Sequence, residues 1–291
     1  MTSAEKRHQF LVTTLLTIIC ALVIIPFLVV VGVSFSKESD VMNYGYSIIP
    51  RTFDLAAYKY VFTGSGSVIN AYKVTITFSV ACMVLGVLLM SMLAFALSKR
   101  DLKGKKVMSF YVYFTMLFGG GLVPTYILIT QYLHLGDTIW VYIVTGLVSP
   151  WYVFMLRTFF QGIPYEITEA AVIDGANEFK IFAQFIIPMS KPAIATIALF
   201  MFLGKWTDWN TALLYINNED LVSLQYLLQR IMKNIQIMTE DPNIASLFEN
   251  DIPAETVRMA MAVVVAGPAL VVFPFFQKYF VQGITVGAVK G

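Results

Sequence analysis

The stretch EITEAAVIDGANEFKIFAQFIIP (Glu166–Pro188) carries four carboxylates and a single lysine, and it lies between two long apolar runs. It is too charged to cross a bilayer, which takes about 20 mostly apolar residues. Its apolar residues recur at helical spacing, which is untypical of a passive loop. We therefore expect a pair of short helices that lie on the surface of a membrane protein.

The composition of the whole chain is that of a membrane protein. The 291 residues are 58% hydrophobic and 13% charged, with a mean hydropathy of +0.72. Soluble domains carry about a quarter charged residues, so this chain has too few charges to cover a water-facing surface. We expect an all-α integral membrane protein. Cys20 and Cys82 both lie in apolar runs, so no disulfide framework is indicated.

Six charge-poor windows are long enough to span a bilayer. They are residues 10–33, 74–97, 107–133, 138–156, 191–216 and 259–277. The first is longer than the core of a secretory signal and has no clear cleavage site, so we expect a retained span. The connecting segments are residues 1–9, 34–73, 98–106, 164–188, 217–257 and 278–291.

The distribution of basic residues predicts the orientation, because cytoplasmic loops are enriched in lysine and arginine. With the N-terminus inside, the inner segments hold twelve basic and six acidic residues, and the outer segments hold eight and twelve. The dense basic cluster of the short loop 98–106 is the strongest single indication. Both termini and segment 164–188 are then predicted to be cytoplasmic.

Within segment 164–188, Pro164 suits the first turn of a helix, and Glu166 and Glu169 suit its positive end. Gly175 is placed to stop that helix in a left-handed conformation. A second helix is predicted to end at Pro188 and to carry one apolar face, formed by Phe179, Phe182, Ala183 and Ile186. Two interpretations are open, a connector on lipid headgroups or a docking element for a protein. Lipid-bound helices are usually rich in lysine and arginine, so the acidic character favours a protein.

Several motifs carry a family resemblance. Glu169-Ala170-Ala171, followed by Gly175 and then Ile187-Pro188, resembles the signature loop of ABC-importer permeases; Phe185 stands where isoleucine is usual. Further similar stretches are PTYILI (Pro124–Ile129), LRTFFQGIP (Leu156–Pro164), SKPAIATIALF (Ser190–Phe200) and FPFFQKYFVQGITVGAVKG (Phe273–Gly291). Over nearly its whole length the chain is similar to the second membrane subunit of the maltose and oligosaccharide importers. We call residues 164–188 the signature segment.

The resemblance implies a type I ABC importer permease fold with six transmembrane helices and cytoplasmic coupling helices. It implies a permease subunit that moves an oligosaccharide or related sugar across the bacterial cytoplasmic (inner) membrane by alternating access. The implied partners are a second permease subunit, a dimeric cytoplasmic ATPase and an external or periplasmic solute-binding protein, with membrane lipid around them and no nucleic acid. The residues implied in ATPase coupling are Glu169, Ala170, Ala171, Asp174, Gly175, Phe182 and Pro188.

By the same resemblance the chain is not an enzyme and binds no cofactor, since ATP and magnesium belong to the partner ATPase. The sequence also lacks the G-x-x-x-x-G-K-[ST] motif that cradles nucleotide phosphates. The run Gly119–Gly121 has no following lysine, and we expect it to allow a close helix contact or a bend.

Candidates for the substrate path lie in the fifth window, where ionisable residues interrupt the apolar run. They are Lys205, Trp206, Asp208, Trp209 and Asn210, with Tyr126, Trp151 and Tyr152 as further aromatic candidates. Lys205 and Asp208 stand three residues apart, so an ion pair between them is an alternative to a path lining. Tryptophans near span ends also anchor proteins at the membrane interface, and in the family the sugar contacts can lie mostly on the other permease subunit.

The second outer loop, 217–257, is long, and loops of that length usually have a function. Five apolar residues recur there at helical spacing: Leu224, Leu227, Leu228, Ile231 and Ile235. The pattern leaves two interpretations of this loop open, a helix packed on the spans or a docking surface for the solute-binding protein. The resemblance favours the docking surface. A permease for a non-sugar solute and, less favoured, a secondary transporter are the alternative functions.

Overall fold

The computed structural model describes residues 3–63, 68–240 and 253–288, and describes side chains in 7–63, 68–237 and 253–277. The middle of the predicted second outer loop and the end of the chain lie outside these ranges. The described chain is helical, apart from connecting segments and one isolated antiparallel bridge between Ser36 and Phe53.

The helices follow one another along the chain with short connections. In order they are α1 (Ser3–Ser34), α2 (Glu38–Tyr44), α3 (Ala56–Thr63), α4 (Val68–Ser98), α5 (Lys105–Leu117), α6 (Leu122–Ile127, continued by a π-helical turn over Leu128–Tyr132), α7 (Ile139–Val144), α8 (Pro150–Gln161), α9 (Tyr165–Ile173), α10 (Glu178–Ile181, continued by a π-helical turn over Phe182–Ile186), α11 (Ile187–Met189), α12 (Lys191–Trp206), α13 (Asn210–Tyr215), a short 3₁₀ turn (Glu219–Leu221), α14 (Leu224–Glu240) and α15 (Ala254–Ala288).

Among the described residues, three helices are long and apolar enough to cross a membrane by themselves. They are Arg7–Ser34, Val68–Ser98 and Ala254–Gln277. Two bent helix pairs raise the count to five if each pair is one span: Lys105–Leu117 with Leu122–Tyr132, and Glu178–Met189 with Lys191–Trp206. The predicted count of six therefore stays a prediction. α15 also continues into the segment that we expected to be a tail, 278–291.

The third predicted span, 107–133, is not one straight helix. α5 and α6 meet at 111° across the break from Phe118 to Gly121. Gly121 has a φ of +83°, a left-handed conformation that glycine adopts at no steric cost. Of the two expectations for Gly119–Gly121, a close helix contact or a bend, the structure shows the bend.

The fourth predicted span, 138–156, is also interrupted. α7 ends at Val144, and α8 begins at Pro150, with five non-helical residues between them. Proline at the first helical position suits the start of α8, because its missing N–H would have no partner there. α8 then runs beyond the predicted window to Gln161.

The chain forms two compact units, residues 1–69 with 228–268 and residues 70–227 with 269–291. In the first, the start of α15 is capped by a residue from α2. The Glu38 carboxylate accepts hydrogen bonds from the backbone N–H of Glu255 and of Thr256, both at 2.9 Å, and from Thr256 Oγ1 at 2.7 Å. A carboxylate at a helix N-terminus satisfies free N–H groups and favours the helix dipole.

A second contact in the first unit comes from the loop after α2. The Tyr46 hydroxyl donates a 2.7 Å hydrogen bond to Glu255 Oε2, and this bond raises the pKa of the Tyr46 phenol. Phe35 stacks on Phe53 and on Tyr58, with ring centres 5.5 and 4.9 Å apart. The first outer loop therefore packs on itself and on the start of α15.

The second unit has a hydrophobic core that joins α4 and α8 to the signature segment and α12. Its central members are fully or nearly buried. They include Met90, Leu97, Val153, Leu156, Phe160, Ala171, Ile181, Phe182, Ile186 and Ile197. The ring of Phe95 on α4 lies 5.4 Å from that of Phe182. The signature segment is thus fixed to the helices beside it by apolar packing.

Candidate functional site

The first helix of the signature segment, α9, begins one residue later than expected. Pro164 has an extended ψ of 130° and precedes the first helical residue, Tyr165, so it does not lie within the first turn. Glu166 lies in that turn, where its charge suits the positive end of the helix dipole.

α9 ends in a Schellman motif, as the position of Gly175 predicted. Gly175 has a φ of +79°, and its N–H donates to Val172 O at 2.9 Å. The N–H of Ala176 donates to Ala171 O, also at 2.9 Å, which is the second hydrogen bond of that motif. Ala171 and Ala176 both pack in the core, so the turn direction is fixed by hydrogen bonds and by apolar contact.

The second helix has a different buried face from the predicted one. It begins at Glu178, where the Asn177 side chain accepts a 2.8 Å hydrogen bond from the Lys180 N–H. Ile181, Phe182 and Ile186 are buried, whereas Phe179 and Ala183 are exposed. The π-helical turn over Phe182–Ile186 explains the difference, because its i to i+5 spacing aligns Ile181 with Ile186.

Pro188 does not end this helical segment. It is exposed and lies inside the last turn, α11, which runs to Met189. The break falls at the buried Ser190, where the chain turns by 83° into α12. α10 and α11 are therefore connected to the long helix α12 through Ser190 alone.

The outward surface of the signature segment combines free carboxylates with exposed apolar side chains. Glu169 and Asp174 are exposed, and their carboxylates have no hydrogen-bond or ion-pair partner among the described residues; Ala170 between them is exposed too. Ile173 is 84% exposed and Phe179 is 69% exposed. Exposed apolar side chains beside free charges are the pattern expected of an interaction surface, and the docking role stays a prediction.

Sequence reasoning missed some of the contacts that fix the signature segment to the helices beside it. Ala171 and Phe182, which the resemblance implied in ATPase coupling, are 5% and 4% exposed and pack in the core, so their side chains face the protein interior and not a partner. The ion pair between Lys99 and Glu178 was not predicted. It joins the loop after α4 to the start of α10, and nothing in the local sequence indicates that these two distant residues meet.

Lys205 and Asp208 form an ion pair at the break between α12 and α13. Lys205 Nζ lies 3.0 Å from Asp208 Oδ2, and each side chain is 14% exposed. The same carboxylate accepts from the Thr211 N–H at 3.0 Å and from Thr211 Oγ1 at 2.7 Å. Ser223 Oγ donates to the Asp208 carbonyl at 3.2 Å. All this favours the ion-pair interpretation, with Asp208 also capping α13.

Gly146 belongs to this network and was missed. A side chain at Gly146 would collide with the Lys205 stem and would lie 3.0 Å from Cys82 Sγ. Gly146 lies in the break between α7 and α8. The Lys205 side chain thus packs against the break between α7 and α8. Its ammonium pairs with Asp208 at the break between α12 and α13.

The remaining substrate-path candidates differ in exposure. Trp206 is buried against Tyr72 and Phe202, with ring centres 6.1 and 5.8 Å away. Tyr126 is 40% exposed and stacks on Tyr215 at 5.6 Å. Trp151, Trp209 and Asn210 are exposed and Tyr152 is partly buried. The described contacts join Tyr126 to Tyr215 and Trp206 to Tyr72, and they do not gather the candidates into one cluster.

Replacing Asp208 by alanine is expected to destabilise the protein, because it leaves the Lys205 ammonium buried without its carboxylate. Removing one partner of a buried ion pair costs about 3–5 kcal/mol. The double variant Lys205→Met/Asp208→Ala removes both charges and should recover most of that loss. Thermal unfolding of the purified protein measures both changes. A single variant that melts normally and changes only uptake kinetics would show instead that the pair lines the path.

The helix predicted in the second outer loop is present as α14. Leu224, Leu227, Leu228 and Ile235 are each at most 4% exposed, and Ile231 is partly buried. The apolar face is therefore covered within the chain. The loop beyond α14, where a docking surface was the other interpretation, lies outside the described residues.

Comparisons with known proteins agree with this architecture. A family model for the binding-protein-dependent transport system inner membrane component matches residues 1–286. Protein LplC of Bacillus subtilis is 36% identical over 273 residues, which cover 93% of this chain and 90% of that protein. The polygalacturonan/rhamnogalacturonan transport system permease protein YtcP of the same organism is 36% identical over 288 residues, 99% of both chains.

A solved structure of similar fold is described as a bacterial ABC transporter involved in the import of the acidic polysaccharide alginate. One of its chains superimposes with a TM-score of 0.81 and 28% sequence identity. The match covers 96% of this chain and 99% of that chain. The similarity therefore extends over nearly all of both chains.

Proposed function

This chain belongs to the family of binding-protein-dependent transport system inner membrane components, and we propose that it carries an acidic oligosaccharide through the membrane as one of the two permease subunits of an ATP-driven importer. It is a permease subunit of a sugar ABC transporter and not an enzyme. Its fold is the helical fold of an ABC importer permease. The expectations of family, fold class and sugar import are thereby confirmed.

The proposal for energy coupling rests on the outward surface of the signature segment. Glu169 and Asp174 present free carboxylates next to exposed Ile173 and Phe179. We propose that this surface docks into a groove of a dimeric cytoplasmic ATPase, with Glu169 facing a basic residue there. α10 and α11 lead directly into α12, so a displacement of the docked surface would reach a membrane helix without an intervening loop.

The proposed assembly contains a second permease subunit that closes the pathway, the ATPase dimer, and a solute-binding protein on the opposite face. We propose that both termini and the signature segment lie on the cytoplasmic side, an orientation that the basic loop 98–106 supports. ATP must bind one conformation more tightly than the other to shift the permease between inward-facing and outward-facing states. No step of ATP hydrolysis is assigned to this chain.

The choice of an acidic oligosaccharide rests on the comparisons. YtcP, at 36% identity, is a permease of a polygalacturonan/rhamnogalacturonan transport system, and the structural neighbour is involved in the import of the acidic polysaccharide alginate. Neutral oligosaccharides are the second candidate substrate. In the network around Asp208, the basic residue Lys205 already pairs with Asp208 and is therefore not free to bind a carboxylate of the substrate. Recognition of the acid groups is therefore proposed to lie mainly on partner subunits.

Uptake competition tests the substrate class. Vesicles containing the complete transporter should accumulate labelled oligogalacturonate only when ATP is inside, because transport is driven by the ATPase. Unlabelled alginate oligosaccharide should compete, and maltodextrin of the same length should compete at least about tenfold less well, as one lost charged hydrogen bond predicts. Equal competition by the neutral sugar would contradict an acidic substrate while leaving sugar import intact.

A further inference from the structure

A cavity of about 450 Å³ lies between the end of α4 and the signature segment, within the second unit. Its walls come from α4 and the following loop, from the end of α8, and from α9 and α10. That volume is in the range of small-molecule sites, about 300–1,000 Å³. The cavity is distinct from the outward docking surface, because Glu169, Ile173 and Phe179 do not line it.

Cations outnumber carboxylates in the lining. The lining contains three basic residues and two acidic ones: Lys99, Arg100 and Lys105 against Asp101 and Glu178. Lys99 pairs with Glu178 and lies 5.1 Å from the centre of the Phe95 ring. The Lys105 ammonium donates to the Lys99 carbonyl at 2.6 Å and to the Ser98 carbonyl at 3.4 Å. Both lysines are thus held in place by the protein itself, and no described carboxylate lies within ion-pair distance of Lys105.

Arg100 is the lining cation with free donors. Its guanidinium carbon lies 4.9 Å from the centre of the Tyr165 ring, and its N–H groups meet no acceptor among the described residues. Stacking on an aromatic face orients the planar guanidinium. Gln161 and Thr168 also line the cavity, and their side chains make no hydrogen bond to the described residues. An oriented guanidinium, a fixed ammonium and neutral donors therefore surround the same space.

This set of donors fits phosphate better than it fits a carboxylate sugar or a cation. A guanidinium binds two phosphate oxygens at once and an ammonium binds a third as a point charge. Asp101 also lines the cavity and makes no ion pair with the described residues, and its negative charge partly offsets the positive charges of Arg100 and Lys105. Lys103 and Lys106 are close in sequence to the lining residue Lys105 and add to the positive potential of this region.

We propose that this cavity is a phosphate-binding site, occupied by the phosphate group of a membrane phospholipid or by a soluble phosphate compound. Basic pockets at the cytoplasmic ends of membrane helices take anionic headgroups, and the apolar part of the wall, with Phe95, Phe160 and Ile186, suits the carbon chain that such a headgroup carries. A bound phosphate bridges the loop after α4 to α9. The ligand therefore stabilises the position from which the signature segment meets its partner.

The test compares Arg100→Gln with Lys103→Gln in the complete transporter. Lys103 is exposed in the same loop but does not line the cavity, so it controls for the loop's charge. Native mass spectrometry measures retained phosphatidylglycerol, and calorimetry measures inorganic phosphate. We expect Arg100→Gln to weaken binding of one of these probes by about tenfold or more, since it removes charged hydrogen bonds, and Lys103→Gln to change it less than twofold.

Each outcome decides the proposal. Arg100-dependent retention of phosphatidylglycerol without binding of inorganic phosphate supports the lipid source, and the reverse result supports the soluble source. Equal effects of the two variants, or no effect of either, would overturn the site. If Arg100→Gln reduces only the amount of ATPase subunit that co-purifies, the loop contacts a protein and the proposal is wrong. None of these results depends on which sugar is transported.

Discussion

Replacing Gly175 by valine is expected to reduce ATP-dependent sugar uptake to near background while leaving the protein inserted in the membrane. The φ of +79° at Gly175 costs a residue with a Cβ atom about 1–2 kcal/mol, and β-branched side chains tolerate it least. The Schellman turn sets the direction in which the chain leaves α9. Loss of this turn would change the relative position of Ile173 and Phe179, the two exposed apolar side chains of the proposed docking surface. Uptake of labelled oligosaccharide by vesicles measures the effect.

The matched control is Gly45→Val. Gly45 ends α2 with a φ of +78°, and a Cβ atom there meets nothing within 4 Å, as at Gly175. Its ψ of −172° belongs to a region that only glycine adopts readily, so valine there introduces at least as much backbone strain, far from the signature segment in sequence, and uptake should remain. Gly175→Asn should also keep most activity, since asparagine adopts the left-handed conformation more readily. Normal uptake by Gly175→Val would contradict the coupling role.

The end of α9 was predictable because one residue type satisfies one backbone requirement. A left-handed turn after an amphipathic stretch favours glycine, and Gly175 has that conformation. The buried face of the next helix was not predictable in the same way. A period of 3.6 residues places Phe179 inside, but the π-helical turn shifts the register and leaves Phe179 exposed. No local residue pattern distinguishes the two.

Apolar length predicted α1, α4 and most of α15, since a long uncharged run has few alternatives to a membrane helix. The same criterion missed the interruption between Val144 and Pro150, because hydropathy is insensitive to a break in the backbone. Gly146 and Pro150 were the available signals. The bend after α5 was easier to foresee, because three consecutive glycines remove helix-stabilising side chains and permit positive φ.

Contacts between distant residues limited the prediction of the sites. The Lys205–Asp208 pair follows from a spacing of three residues on a helix, and the structure contains it. The packing of Lys205 on Gly146, the bond from Ser223, and the Lys99–Glu178 pair each join segments far apart in sequence. They depend on how the helices pack, which periodicity alone does not specify.

Reversing the charge at Glu169 is expected to have an effect as large as the Gly175 change, through a different physical cause. Glu169 is exposed and has no partner among the described residues, so Glu169→Lys should leave the fold and its stability nearly unchanged. In the assembled importer the new lysine would face a basic residue of the ATPase. Like charges brought together at an interface cost several kcal/mol, and each 1.4 kcal/mol is about tenfold in affinity. Uptake should therefore fall to near background, with less ATPase retained on the purified complex.

Glu166→Lys provides the comparison that separates a specific contact from a general loss of negative charge. Glu166 is exposed on the same helix, one turn earlier, and the substitution changes the net charge by the same amount. Its uptake should stay within about twofold of wild type, because an exposed charge away from a contact contributes at most about 1 kcal/mol. Equal losses in the two variants would indicate that the whole acidic surface steers the ATPase electrostatically, and raising the salt concentration would then weaken the wild-type complex. A loss confined to Glu169→Lys, insensitive to salt, would place the contact at that one carboxylate.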